Sequence, residues 1–453
     1  MVPHLKTALT GPLLELERTF LDRATDIEQW LRAQWRTHTP PFYCSVDLRN
    51  AGFKLAPVDT NLFPGGFNNL NPAFLPLCVH SAMTAITRIC PEAEDLLLIP
   101  ENHTRNQFYL ANVARLTSIL ERTGLNVRVG TLIPEIQTPT LLDLPDGEKL
   151  LLEPIRRRDD QLYLDNDTSE RALHMAREPQ LHPPPGGGST FTPCAILLNN
   201  DLSGGIPDIL RDLRGQTLIP PLHAGWHVRR KSQHFAAYDR VAGDFAQAIG
   251  IDPWLINPDF GVCGQINFQE RQGEECLADN VNTVLTRIRA KYAQYGVKEP
   301  PFVIVKADAG TYGMGIMTVR DAAEVKTLNR KQRNKMAVVK EGLQVSEVII
   351  QEGVHTFETI EGNVAEPVVY MVDRYVVGGF YRVNTERGRD ENLNAPGMRF
   401  EPLAFDYGCT MPDYNCAPDD APNRFFAYGV VARLALLAAA VELALSAPPA
   451  NIA

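Results

Sequence analysis

The sequence has no continuous apolar run long enough to span a bilayer, no CxxC pair, no internal repeat and no excess of basic residues. Each absence removes a class of protein. The strongest membrane candidate, residues 428–447, contains Arg433 and Glu442 and is followed by Pro448 and Pro449. A charge near a bilayer centre is costly, so this Ala-rich stretch reads as a buried core helix, and no membrane partner is expected. At the other end, Glu15, Glu17 and Arg18 interrupt any apolar core of a secretory signal,. The eight cysteines are scattered singly, without the clustered spacing of a zinc cage or disulfide framework, which points to reduced thiols in a cytoplasmic protein,. Acidic residues outnumber basic ones, 54 to 44. Nucleic acid is therefore not expected as a partner, and a small anionic ligand must meet locally concentrated positive charge.

What remains is a chain of 453 residues, 44% hydrophobic, long enough for two or three domains,. Leu13, Leu16, Phe20, Ile27, Trp30 and Leu31 recur at helical spacing and predict one amphipathic helix over 10–35,. Two β-rich runs around Asn50-Ala51-Gly52 predict a hairpin,. From Asp95 the order strand, helix, strand predicts α/β units on a parallel sheet. Residues 181–193 are Pro-rich, then Gly-rich, as in an exposed linker, and the strand 195–198 opens a further α/β layer,. Beyond Pro301 the runs become β-rich, until a last helix at 424–447.

The segment FVIVKADAGTYGMGIMTV, 302–319, carries the most chemistry. A strand ending in Lys306 enters a loop with Gly310, Gly313 and Gly315, then a second β-rich run. Glycines let a backbone fold over polyphosphate, and a strand lysine neutralises charge. This is neither a P-loop nor a dinucleotide fingerprint, both of which lead into a helix, and by itself it fits a structural turn equally well. Further on, VIIQEGV sets Gln351 and Glu352 at a strand end, suited to an adenine pocket. A strand pair then ends in Arg382 and Asn384, followed by ENLNAPG with Asn392 and Asn394.

Taken together, these segments resemble the ATP-grasp core of glutathione synthetases and related carboxylate-amine ligases. The whole chain is similar to the proteobacterial glutamate-cysteine ligase family of the iron-oxidiser type, through KLAPVDTNLFPGGFNN, NNDLSGGIP, GWHVRRKSQHFAAYDR and NLNAPG. The resemblance implies ATP and Mg2+ as cofactors and ligation of L-glutamate to L-cysteine through an acyl phosphate. It implies Lys306 as a phosphate-contacting lysine, Lys231 as an earlier one, and Arg382 as the arginine on the transferred phosphoryl group. Arg229, Arg230 and Lys231 also fit a solvated basic turn. Alternatives are another ATP-grasp ligase, such as a glutathione synthetase-like enzyme, or a non-catalytic nucleotide-binding regulator.

The usual ATP-grasp domain ends in a hairpin that chelates magnesium, and here little follows the last helix. The N-terminal hairpin has the required chemistry: Asp47 on its first strand, and Asp59 and Asn61 on its second, two residues apart and so on one face,. The expectation is a circularly permuted ATP-grasp fold with metal on Asp47, Asp59 and Asn61. Asp406, Asp413 and Asn415 form a rival set; turn chemistry would explain either. The division expected is 1–75 packing with the C-terminal part, 76–225 on the substrate side, and 226–453 for nucleotide. Arg105, beyond the strand LLLIP, and Asn68 and Asn69 of PGGFNN are candidates for the amino acid substrates, though helix caps and tight turns use the same residues. A homo-oligomer is compatible with all of this.

Overall fold

The computed structural model describes residues 5–6, 11–166, 190–310, 315–338, 344–403 and 424–448. After a two-residue strand, β1 (Leu5–Lys6), the amphipathic start folds as two helices, α1 (Pro12–Asp22) and α2 (Ala24–Gln34), rather than the single one expected. Arg23 between them leaves helical geometry (φ −101°, ψ 17°), yet its N–H still bonds the Thr19 carbonyl at 2.9 Å. The apolar stripe therefore continues across the break, with Leu13, Leu16, Phe20, Ile27 and Leu31 all buried.

The expected hairpin follows as β2 (Tyr43–Asn50) and β3 (Leu55–Asn61). Asn50 Oδ1 accepts from Gly52 N at 2.9 Å, and Gly52 has φ +77°, a conformation that favours glycine,. Next come α3 (Leu75–Ile89), β4 (Asp95–Pro100), α4 (Gln107–Glu121) and β5 (Asn126–Thr131), with β4 parallel to β5 as the alternation required,. Strands β6 (Thr140–Asp143), β7 (Lys149–Pro154), β8 (Arg156–Arg158), β9 (Gln161–Asp165), β10 (Thr190–Phe191), β11 (Ala195–Asn199) and β12 (Thr217–Ile219) complete this part. Most of the 181–193 stretch lies outside the described residues. A six-stranded sheet has the order β12-β11-β4-β5-β7-β6, parallel except at β6.

A four-stranded antiparallel sheet, β13-β16-β14-β15, is built from β13 (Phe260–Gly264), β14 (Val303–Ala307), β15 (Ile316–Val319) and β16 (Glu347–Glu352). It follows α5 (Lys231–Ile249), and α6 (Glu274–Tyr295) buries one of its faces. The chain ends in β17 (Thr359–Ile360), β18 (Asn363–Val372), β19 (Tyr375–Asn384), β20 (Met398–Pro402) and α7 (Arg424–Ser446). These strands form a seven-stranded sheet with β1 and the N-terminal hairpin, β2 pairing antiparallel with β18.

Alternation along the strands divides this large sheet. Val46, Leu48, Ala365, Val369, Met371 and Val383 belong to one core with α1, α2, α5 and α7. Val368, Tyr370, Val372 and Phe380 belong to a second core with α3, α4 and the six-stranded sheet. By length and composition α7 could cross a membrane, but 67% of its most apolar window is buried within the protein. Its charges are paired inward: Glu442 with Arg229 and Arg433 with Glu28, each at 2.8 Å. Folding also unites cysteines that stand singly in the sequence, with the Cys90 and Cys194 sulfurs 2.7 Å apart. Both are free thiols.

Candidate active site

Strand register lays out the polar part of the large sheet. Asp47 stands opposite Asp59 on β3 and opposite Val368 on β18, while Glu366 stands opposite Arg382 on β19. Facing residues in an antiparallel ladder project to the same side, so Asp47, Asp59, Glu366 and Arg382 share a face. Arg49, two residues beyond Asp47, joins them by donating from Nε to Glu366 at 2.8 Å. Arg382 Nη1 donates to Asp47 at 2.8 Å and to Glu366 at 2.6 Å.

The four-stranded sheet supplies the other wall. Val303, Val305, Val348 and Ile350 turn into the α6 core, which leaves Lys306 and Gln351 on the opposite face,. Lys306 Nζ donates to the carbonyl of Val58, the neighbour of Asp59, at 2.7 Å. Lys231, at the first position of α5, donates to Asp59 Oδ1 at 3.0 Å, and its ammonium lies 4.2 Å from the Trp226 ring centroid. Asp308, just past β14, accepts from Ser232 N and Oγ at 2.7 and 2.6 Å and so fixes the start of α5 against the lysine strand. Two lysines and an arginine from three elements thus surround one carboxylate pair.

The electrostatics follow from this crowding. Burial by itself would raise the Asp59 carboxyl, but Lys231, Lys306 and Arg229 hold it well below the usual range,. Burial pushes Lys306 down from 10.5 to about 8, with Asp59 opposing and Lys231 adding to the shift. Asp47 is pushed up by burial, Arg382 opposing and Glu366 reinforcing. Burial would lower the Arg382 guanidinium, yet Asp47 and Glu366 hold it above its ordinary value. The side chains of Asp47 and Asp59 remain 22% and 39% exposed, enough to meet a ligand. Behind them, buried Glu442 accepts from Arg229 at 2.8 Å and contacts His234 Nδ1 at 2.9 Å, which locks α7 to α5.

Other expected residues divide. Gln351 is 2% exposed, and its Nε2 has no hydrogen-bond partner among the described residues. Glu352, one position on, faces the core, where its carboxylate accepts from Lys54 Nζ at 2.6 Å, Trp254 Nε1 at 3.1 Å and Asp259 N at 2.9 Å. Gly310 and Gly315 have φ of +93° and +61°; Gly313 lies outside the described residues. Asn392 Oδ1 accepts from Asn394 N at 3.0 Å, and Asn384 Nδ2 donates to the carbonyls of Leu393, Ala395 and Pro396, pinning the loop after β19. Asn61 Oδ1 accepts from Phe63 N at 3.0 Å. The rival set Asp406, Asp413 and Asn415 lies outside the described residues.

On the substrate side, the PGGFNN loop is tied down from both sides. Asn112 Oδ1 accepts from Gly66 N and Phe67 N at 2.8 and 2.9 Å, and the Tyr370 hydroxyl donates to Gly65 O. A β-carbon on Gly66, at φ +97°, would lie 2.9 Å from that hydroxyl, so only glycine fits,. Asn69 and Asn68 follow, hydrogen-bonded to each other at 3.4 Å. Arg105 is exposed beyond β4, and no ion pair joins it to the cleft among the described residues. Sequence reasoning missed Arg49, Glu366, Trp226 and Asp308. Arg49 alternates with Asp47 on one strand, which was a usable signal; Glu366 precedes the apolar run PVVYMV with no such mark.

The fold is mixed α/β, and two of its sheets bring Lys231, Lys306 and Arg382 around the Asp47–Asp59 pair. Residues 17–174 and 187–443 match the glutamate-cysteine ligase family, and the chain belongs to it. Members are ATP-dependent ligases acting on small molecules, usually with a divalent metal. A crystal structure from Methylobacillus flagellatus KT, provisionally described as a gamma-glutamylcysteine synthetase, is 64% identical, covers 99% of this chain and 100% of that one, and gives a TM-score of 0.87. At low identity the chain is similar to a glutathione synthetase-like effector from Globodera pallida (10% identity, 85% of this chain and 82% of that one, TM-score 0.38). It is likewise similar to D-alanyl-alanine synthetase A from Vibrio cholerae (11%, 75% and 80%, TM-score 0.31). No curated protein matches the chain.

Proposed function

We propose that this cleft makes γ-glutamylcysteine through an acyl phosphate. The γ-carboxylate of glutamate attacks the γ-phosphorus of ATP and ADP leaves; the cysteine amine then attacks the acyl carbon, loses a proton, and phosphate departs. The observation that carries this is the convergence of Lys231, Lys306 and Arg382 on the Asp47–Asp59 pair. Polyphosphate needs cations placed in a site shielded from water, and phosphoryl transfer is largely positioning and charge stabilisation. Lys231 and Lys306 neutralise the phosphates, and Arg382 faces charge that develops on the transferred group. Gln351 offers an unused donor to adenine, while Gly310, Gly313, Gly315, Asn392 and Asn394 shape the nucleotide loops.

Asp47, Asp59 and the Asn61 amide oxygen are hard donors that fit Mg2+, which completes its shell with phosphate oxygens and water. Among the described residues, no group of three or more His, Cys, Asp or Glu is placed to hold a metal. When bound, the ion supplies charge neutralisation to the phosphate oxygens. The PGGFNN loop, with Asn68 and Asn69, and Arg105 are the proposed contacts for the amino acids. The pairing of β2 with β18 supports a circularly permuted ATP-grasp fold, in which 1–75 completes the nucleotide part at 226–453 and 76–225 serves the substrates. A cytoplasmic enzyme without nucleic acid or membrane partners completes the reading, and a homo-oligomer is compatible with it. ADP release with glutamate plus cysteine, compared with glutamate plus other amines, tests the assignment. Turnover that cysteine does not stimulate overturns it.

A further inference from the structure

We infer that Glu366 is the positioning residue of Arg382, orienting its guanidinium for phosphoryl transfer. This rests on the role proposed above for Arg382. Glu366 is 2% exposed, and both its carboxylate oxygens are used by arginines: Oε1 by Arg382 Nη1 at 2.6 Å, Oε2 by Arg49 Nε at 2.8 Å. Arg49 is itself held, donating to the carbonyls of Val354 at 3.2 Å and Glu391 at 2.5 Å. One side of Glu366 is therefore braced against fixed backbone, and the other grips Arg382.

Arg382 has little else to orient it. Its Nε is buried without a hydrogen-bond partner among the described residues, and its other carboxylate contact is Asp47 at 2.8 Å. Asp47 is the more exposed of the two carboxylates and is a proposed metal ligand, so its charge is shared between ion and arginine, whereas both oxygens of buried Glu366 go to arginines. Glu366 is the anchor that persists. A guanidinium is planar and directional, so a lost anchor turns it away from the transferred group without removing its charge. A misplacement of about 1 Å can lower a rate about 100-fold.

The test compares Glu366→Gln, Arg382→Gln, the double variant of these, and Arg49→Met combined with Glu366→Gln. The expected result for Glu366→Gln is a fall in kcat of about 100-fold with KM for ATP little changed. The double variant should be no slower than Arg382→Gln, because both changes disable one group. Full activity in Arg382→Gln would refute the role of the arginine itself. If Arg382→Gln is impaired but Glu366→Gln keeps its kcat, the positioning proposal fails alone. It also fails if removing Arg49 restores kcat to Glu366→Gln, since the defect would then be a stranded buried charge. If Glu366→Gln does not fold, Glu366→Asp keeps the charge on a shorter arm, and a wild-type kcat there overturns the proposal.

Discussion

Replacing Lys306 with Met should make the ligand-free protein more stable and the enzyme much slower. Burial holds the ammonium at about 8 instead of 10.5, a difference that corresponds to about 3 kcal/mol of strain in the charged form at neutral pH,. Met removes that charge and fills similar volume. It also removes the hydrogen bond to Val58 O, which offsets about 1–2 kcal/mol of the gain,. The net expectation at pH 7 is a stabilisation of about 1–2 kcal/mol, measurable by denaturant titration. The pH dependence gives the stronger test. Because the folded-state pKa lies below the unfolded one, the folded protein releases this proton first between about pH 8 and 10.5, and wild-type stability rises with pH there,. The advantage of Lys306→Met is therefore largest below pH 8 and shrinks above it. Turnover should fall by about 100- to 1000-fold, the cost of removing one preorganised charge contact. A variant that is less stable at pH 7, an advantage that does not change with pH, or near-normal turnover would each refute the reasoning.

Other outcomes follow from the same geometry. Asp59→Asn should abolish most Mg2+-dependent ATP turnover, and near-normal activity across a magnesium titration would exclude Asp59 as a ligand. In the wild type, kcat/KM for ATP should decline above about pH 8 as free Lys306 loses its proton; a flat profile from pH 7 to 9 would argue that this lysine does not meet phosphate,. Glu352→Gln strands the buried Lys54 ammonium and should cost about 3–5 kcal/mol in chemical denaturation while leaving KM for ATP near wild type,. A large rise in KM for ATP would return Glu352 to the cleft. Mild oxidation of the native protein by a small disulfide should join Cys90 to Cys194, seen as a cross-linked peptide by mass spectrometry and absent from Cys90→Ser; recovery of both thiols unmodified would refute the proximity,.

Most local elements and the chemical inventory could be read along the chain, although the helix break at Arg23 could not. Hydrophobic period marked the helices and the hairpin, and the placed cations Lys231, Lys306 and Arg382 were legible against an acidic background, as was the Asp59–Asn61 pair on one face of a strand. What each charge touches depends on how the sheets assemble. Gln351 and Glu352 are neighbours of equal promise in sequence, yet one shares the Lys306 face of the sheet and the other faces the core, because a strand turns alternate side chains to opposite sides and only packing against α6 assigns the sides,. Asp47 and Arg382 are 335 positions apart and meet because β2 inserts beside β18. Glu366, silent in the sequence, matters through two arginines on different strands. An ion pair depends on short distances and low solvent exposure, and both are properties of the assembled sheets rather than of any one segment.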